Sequence, residues 1–140
     1  MANVRAKVFE YTSGLDREAG VSAEGGVPVQ LTAEWTPENV LLAALLRCAV
    51  ASLEHYAKPA GLAVTATGTA HGTVTLREAD GVFGLVEADA YLEIELTPPP
   101  EPEALARLLA RAKAGCFVSN SLSVEPTFHW RVNGSDVSAT

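Results

Sequence analysis

Apolar residues change their period several times along this chain, and each change marks an element. From Val4 to Tyr11 they alternate with polar residues, as in a half-buried strand, and the turn-like Thr12-Ser13-Gly14 follows. Glu18 to Ala23 reads as a second strand, Gly25-Gly26 as a turn, and Val27 to Leu31 as a third strand. Thr36-Pro37-Glu38 then announces a helix. It offers a capping hydroxyl, a proline suited to the first helical position and an acid at the positive end. Val40 to Ala57 is rich in Leu and Ala, contains no Gly or Pro, and is apolar at nearly every angle of its first turns. A central, buried helix is expected, ended by Pro59 and Gly61.

From Leu62 to Leu96 the period becomes two. Val64, Ala66, Gly68 and Ala70 alternate with Thr65, Thr67, Thr69 and His71, and Leu92, Ile94 and Leu96 alternate with Tyr91, Glu93 and Glu95. A turn at Ala79-Asp80-Gly81 makes this a long hairpin. After the break at Thr97 to Pro100, Glu101 to Ala114 returns to helix, with Leu105, Leu108 and Leu109 on one stripe and Gly115 as its stop. Cys116 to Leu122 predicts a short further helix and Val124 to Val132 a final strand. The pattern describes one α+β domain over residues 1–140, an antiparallel sheet around a buried helix.

Composition narrows the function classes. At 140 residues the chain can bury a real core, and 48% apolar against 19% charged residues excludes a disordered chain. A net charge of -7 argues against nucleic acid, because that affinity rests on neutralising phosphates. Arg107, Arg111 and Lys113 are spread along one helix among acids and form no basic patch. Met1 to Glu10 carries Arg5 and Lys7 and lacks the apolar stretch and cleavage site of a secretory signal. The longest apolar run, Val40 to Leu46, is too short for a bilayer. A soluble, cytoplasmic protein with no membrane partner is expected. Two cysteines are too few for a disulfide scaffold, and no CxxC or HxxxH spacing supports a structural zinc. Buried thiols or a redox pair remain.

Cys48 lies mid-helix, directly after Arg47. Alone it reads as a small core hydrophobe. Arg47 weakens that reading, since a guanidinium keeps its proton and needs a partner or an exit to water; Glu54 is one candidate partner. Cys116 follows Gly115 at a helix-to-helix break, where backbone amides would stabilise a thiolate; a packed thiol is the plainer alternative. His55 stands two turns after Cys48, too far for direct proton transfer, and His71 and His129 fall in strand patterns. Phe9, Trp35 and Phe83 read as core residues that could also wall an apolar substrate.

The stretch Thr36-Pro37-Glu38-Asn39-Val40-Leu41-Leu42-Ala43-Ala44-Leu45-Leu46-Arg47-Cys48 resembles the first motif of the OsmC/Ohr family, a Pro-Glu pair and an Ala/Leu-rich helix before a cysteine. Ala114-Gly115-Cys116-Phe117-Val118-Ser119-Asn120-Ser121-Leu122 resembles the second, a cysteine followed by Val-Ser and a Leu. The resemblance covers essentially the whole chain. It implies an OsmC-like fold, antiparallel sheets around a long central helix, in an intertwined homodimer with active sites at the interface. It further implies a thiol peroxidase of organic hydroperoxides, and less well of hydrogen peroxide. The cysteine matching Cys48 becomes a sulfenic acid, the one matching Cys116 resolves it as a disulfide, and a lipoyl-type dithiol restores both. No metal or other cofactor is implied.

Family members activate the reactive thiol with an arginine held by a glutamate. Glu38 matches the glutamate through its Pro-Glu pair. Glu38 and Cys48 are separated by roughly 15 Å of helical rise, so Glu38 is expected to serve the partner subunit's cysteine. Arg17, in Gly14-Leu15-Asp16-Arg17-Glu18, lies nearest the expected place of the arginine; a solvated turn residue is the alternative, and Arg5 and Arg47 are substitutes. Phe117 stands where a proline often follows the second cysteine. Two further readings stand beside the peroxidase. One is a dimeric binding or stress-associated module on the same fold, the other a metal site using Cys48, Cys116 and one histidine.

Overall fold

The computed structural model describes residues 7–138, and the chain divides into two compact units, Met1–Thr36 and Pro37–Thr140. In the first unit, β1 (Ser13–Leu15), β2 (Gly20–Ala23) and β3 (Val29–Gln30) form an antiparallel sheet in that order. The expected strand from Val4 to Tyr11 lies partly outside the described residues, and residues 7–12 carry no regular structure. Pairing begins instead inside the expected turn, because Asp16 supplies a tighter one. Its carboxylate accepts the backbone N–H of Glu18 at 2.9 Å and of Gly20 at 2.7 Å, closing the β1–β2 hairpin. A Cβ at Gly20 would stand 2.6 Å from Asp16 Oδ2, so only glycine leaves room for that turn.

The second unit opens with α1 (Pro37–Ala57), beginning at Pro37 as expected, followed by a short 3₁₀ turn at Lys58–Ala60. Then β4 (Ala63–Leu76) and β5 (Phe83–Thr97) form the long antiparallel hairpin. Its turn is braced by Arg77, which pairs with Asp80 at 2.7 Å, and by Gly81 at φ +68. Next come α2 (Pro102–Ala114), α3 (Phe117–Ser121), β6 (Thr127–Val132) and β7 (Ser135–Val137).

The four strands lie in the order β4-β5-β6-β7, and β6 pairs with β5 in parallel. That corrects the expectation of a purely antiparallel sheet. The two intervening helices carry the chain back to Asp89, midway along β5, the crossover that parallel neighbours require. β7 was not expected either. Asn133 and Gly134, both at positive φ, make the tight turn into it. The Asn133 side chain also bonds the backbone N–H and C=O of Leu96 at 3.0 and 3.2 Å.

Period two in β5 places Ala88, Ala90, Leu92, Ile94 and Leu96 inward, where they meet Trp130 and Val132 of β6. The helix α1 packs over this face. Its Leu42 and Leu46 come to 3.2 and 3.3 Å from where Cβ atoms on Gly72 and Gly68 of β4 would stand. Only one stripe of α1 is fully buried, namely Leu45, Ala49, Ser52, Leu53 and Ala57, whereas Val40 and Leu41 remain exposed. The expected burial on all sides is thus met on one side of the helix. Phe9, Trp35 and Phe83 are also exposed, not core. By length and a mean hydropathy of 1.4, Pro37–Ala60 could cross a membrane. Its buried stripe packs with α2 and the sheet.

Candidate active site

Both cysteines belong to the second unit, and both are free. Cys48 borders the buried stripe of α1, one turn after Leu45 and one turn before Ser52, and is half-buried. Cys116 stands at the N-cap of α3 and is 0% exposed. Gly115, between α2 and α3, delivers it there. A Cβ on Gly115 would meet Ser52 Oγ at 2.7 Å and Tyr56 Cε2 at 3.1 Å, so the end of α2 lies directly against α1. This approach brings Cys116 into the core cluster against which Cys48 packs.

Burial pushes the Cys116 thiol up, to about 11. The backbone N–H of Ser119 pulls it back, the hydrogen bond and charge of Cys48 raise it further, and the N–H of Val118 lowers it slightly. The expectation that the helix end would stabilise a Cys116 thiolate is corrected: α3 has five residues, and its amides do not offset the loss of water. Cys116 is a neutral thiol at physiological pH, sealed from solvent. Cys48, half-buried, is the more exposed of the two.

The remaining candidates are placed as follows. Glu38 occupies the first turn of α1 and is exposed; because α1 is continuous, roughly 15 Å of rise separates it from Cys48. Arg47 is exposed and makes no ion pair with Glu54, although both line one shallow cleft with Leu46 and Val50. It points about 100° away from Cys48 around the helix. Arg17 sits in the Asp16 turn of the N-terminal unit, exposed and without an ion pair among the described residues. Arg5 lies outside the described residues. Phe117 begins α3 without the proline that the second motif often carries, so the helix start survives that departure, and its ring is 63% exposed.

The histidines lie elsewhere. His55 is exposed and packs edge-on to Tyr56 at 5.0 Å. His71 is exposed on β4. His129 bonds Asp89 at 2.9 Å and stacks on Tyr91 at 4.4 Å. Among the described residues no group of three His, Cys, Asp or Glu side chains could hold a metal. Two residues at the site escaped the sequence reading, Ser52 and Gly115 in its packing role. Their positions were the available signal: Ser52 stands one helical turn after Cys48, and Gly115 directly precedes Cys116.

Known proteins of the same fold surround this geometry. An OsmC-like protein of unknown function from Vibrio cholerae superposes with a TM-score of 0.67 at 16% identity, covering 89% of this chain and 100% of that one. An organic hydroperoxide resistance protein from Elizabethkingia anophelis gives 0.63 at 22% identity, with 91% and 99% covered. The organic hydroperoxide resistance protein OhrB of Bacillus subtilis gives 0.55 at 19% identity, with 87% and 96% covered. None of the curated proteins matches the sequence. At these identities the likeness speaks for the fold. The family model of OsmC-like proteins matches residues 30–131, well over half of the sequence, and the chain therefore belongs to the OsmC-like family.

Proposed function

We propose that this protein is a two-cysteine peroxidase of organic hydroperoxides, with hydrogen peroxide a poorer substrate. One observation carries the reading: a half-buried thiol, Cys48, packs against the core cluster that holds a sealed and neutral one, Cys116. Organic hydroperoxide resistance proteins among its structural relatives add support. The Cys48 thiolate attacks the outer peroxide oxygen. The O–O bond breaks, the alkoxide leaves with a proton as alcohol, and Cys48 becomes a sulfenic acid. Cys116 then attacks that sulfur, the S–O bond breaks, and the thiol proton leaves with hydroxide as water. A dithiol of the lipoyl type reduces the disulfide and closes the cycle.

Burial suits Cys116 to the second step. A neutral thiol neither competes for peroxide nor repels the Cys48 thiolate, and the part of its raised pKa due to Cys48 disappears once Cys48 is oxidised. Glu38 and Arg17 complete the site in this proposal, Glu38 from the partner subunit of a homodimer and Arg17 as the cation that favours the Cys48 thiolate. The exposed apolar side chains of α1 and the hairpin support a dimer. The protein acts as a soluble, cytoplasmic antioxidant.

Intact-mass spectrometry after one equivalent of cumene hydroperoxide tests the proposal. The wild type should lose two mass units as a disulfide, Cys116→Ser should gain one oxygen, and Cys48→Ser should do neither. No adduct and no disulfide in the wild type would remove it. Arg17 and Arg47, exposed and without an ion pair among the described residues, favour a second reading, a dimeric binding module with little turnover. The rate of Cys48 alkylation at neutral pH separates the two, since a slow, unselective thiol belongs to the module and a reactive one to the peroxidase.

A further inference from the structure

Ser52 carries a hydroxyl for which the reduced protein has no use. The residue is 8% exposed, its Oγ is sealed from solvent, and Oγ has no hydrogen-bond partner among the described residues. A buried hydroxyl left unpaired is costly, and a helical serine ordinarily avoids this by bonding the carbonyl one turn back. Alanine would occupy the same place without that cost. The position of the hydroxyl is informative. Helical side chains lean toward the N-terminus, so Ser52, four residues after Cys48, projects over the turn that bears Cys48. From the other side Gly115 closes on it, with Oγ 2.7 Å from the site of a Cβ. The next residue after Gly115 is Cys116, part of the core cluster against which Cys48 packs.

We propose that Ser52 is a positioning residue for the resolving step, its hydroxyl donating a hydrogen bond to the oxygen that Cys48 carries between the two half-reactions. This rests on the peroxidase reading. In the reduced state no oxygen is present on either sulfur, and the donor is idle. When Cys48 has taken the outer oxygen from the hydroperoxide, that oxygen supplies the missing acceptor. Held by Ser52, it leaves the Cys48 sulfur open to Cys116. The S–S bond then forms as the S–O bond breaks, and the oxygen departs as water with the Cys116 proton. Ser52 exchanges no atom or electron.

The competing explanation is that Ser52 is simply small enough for Gly115 to approach. Ser52→Ala separates the two, because alanine is as small and lacks only the donor. Single-turnover reactions with cumene hydroperoxide, quenched and read by intact mass, give the rate of disulfide closure and the share of Cys48 overoxidised to sulfinic acid. Urea unfolding gives stability. Ser52→Ala should be at least as stable as the wild type, close its disulfide about three- to tenfold more slowly, as the loss of one hydrogen bond implies, and accumulate more sulfinic acid. Unchanged closure and sulfinic share would overturn the inference alone, as would slower closure accompanied by a loss of stability. If even the wild type forms neither oxygen adduct nor disulfide, the peroxidase reading falls and Ser52's role with it.

Discussion

Cys48 and Cys116 are chemically identical side chains made different by what surrounds them, and the difference is measurable at the level of one titration. Cys116 should titrate near 11 by pH-dependent alkylation or thiolate absorbance. In Cys48→Ala it should fall, because the hydrogen bond and charge of Cys48 are gone, yet stay above the ordinary range, because burial is the largest cause. A folded pKa above the unfolded one stabilises the fold fully below the unfolded value, near 9. That stability is lost as pH rises through 11, because the unfolded thiol then releases its proton first. Urea midpoints compared between pH 8 and pH 11 should therefore show a loss on the order of 2–3 kcal/mol that Cys116→Ala lacks. Equal losses in both proteins would refute it. The two cysteines were legible in the sequence because each sits in a recognisable local motif. The direction of the Cys116 shift was not, since the motif announces a helix start while the burial that outweighs it comes from α1 and the sheet, distant in sequence.

At the scale of elements, the seam between α1 and the end of α2 governs whether the sulfurs meet. Gly115 has φ −87, which any residue adopts, so Gly115→Ala brings no backbone strain and acts only through its added carbon. That carbon meets Ser52 Oγ at 2.7 Å, Tyr56 at 3.1 Å and the Arg111 carbonyl at 3.3 Å. Overpacking of this kind costs about 1–3 kcal/mol, and pushing α2 from α1 should slow disulfide closure as well. Adding Ser52→Ala removes the nearest clash. The double variant should thus be less destabilised than the sum of the two singles, and an additive result by urea unfolding would mean the clash is relieved elsewhere. The same dependence on tertiary approach explains what the sequence conveyed of the elements. The helix from Pro37, the hairpin and the helix after Glu101 were legible from periodicity and punctuation. The parallel pairing of β6 was not, because a strand's pattern does not name its neighbour. The strand after Asn133-Gly134 has only that dipeptide as its signal, because three residues are too few to show a period. Burial on one stripe of α1 could not be read from a helix that is apolar at nearly every angle.

At the scale of the whole molecule, those uncovered apolar angles become an argument. Val40 at 41% and Leu41 at 37% lie exposed on the half of α1 that precedes Cys48, and Val74, Leu76, Val82 and Phe83 are exposed along the far end of the hairpin. A net charge of -7 does not cover such surface, and burying each of these side chains away from water would be favourable. A second copy would cover it, and the proposed site calls for one, because Glu38 stands too far along α1 to reach its own Cys48. Both needs would be met by the proposed homodimer, in which each protomer's Glu38 serves its partner's cysteine. Sedimentation velocity at micromolar concentration should accordingly give a species of twice the 14.7 kDa chain. Leu41→Lys combined with Phe83→Asp, both at exposed positions, should weaken that dimer while leaving the fold of the C-terminal unit intact by circular dichroism. Peroxide reduction should fall in step with dimer content and return as concentration is raised. A wild-type monomer with full activity would separate Glu38 from the chemistry and leave the exposed apolar surface to some other partner.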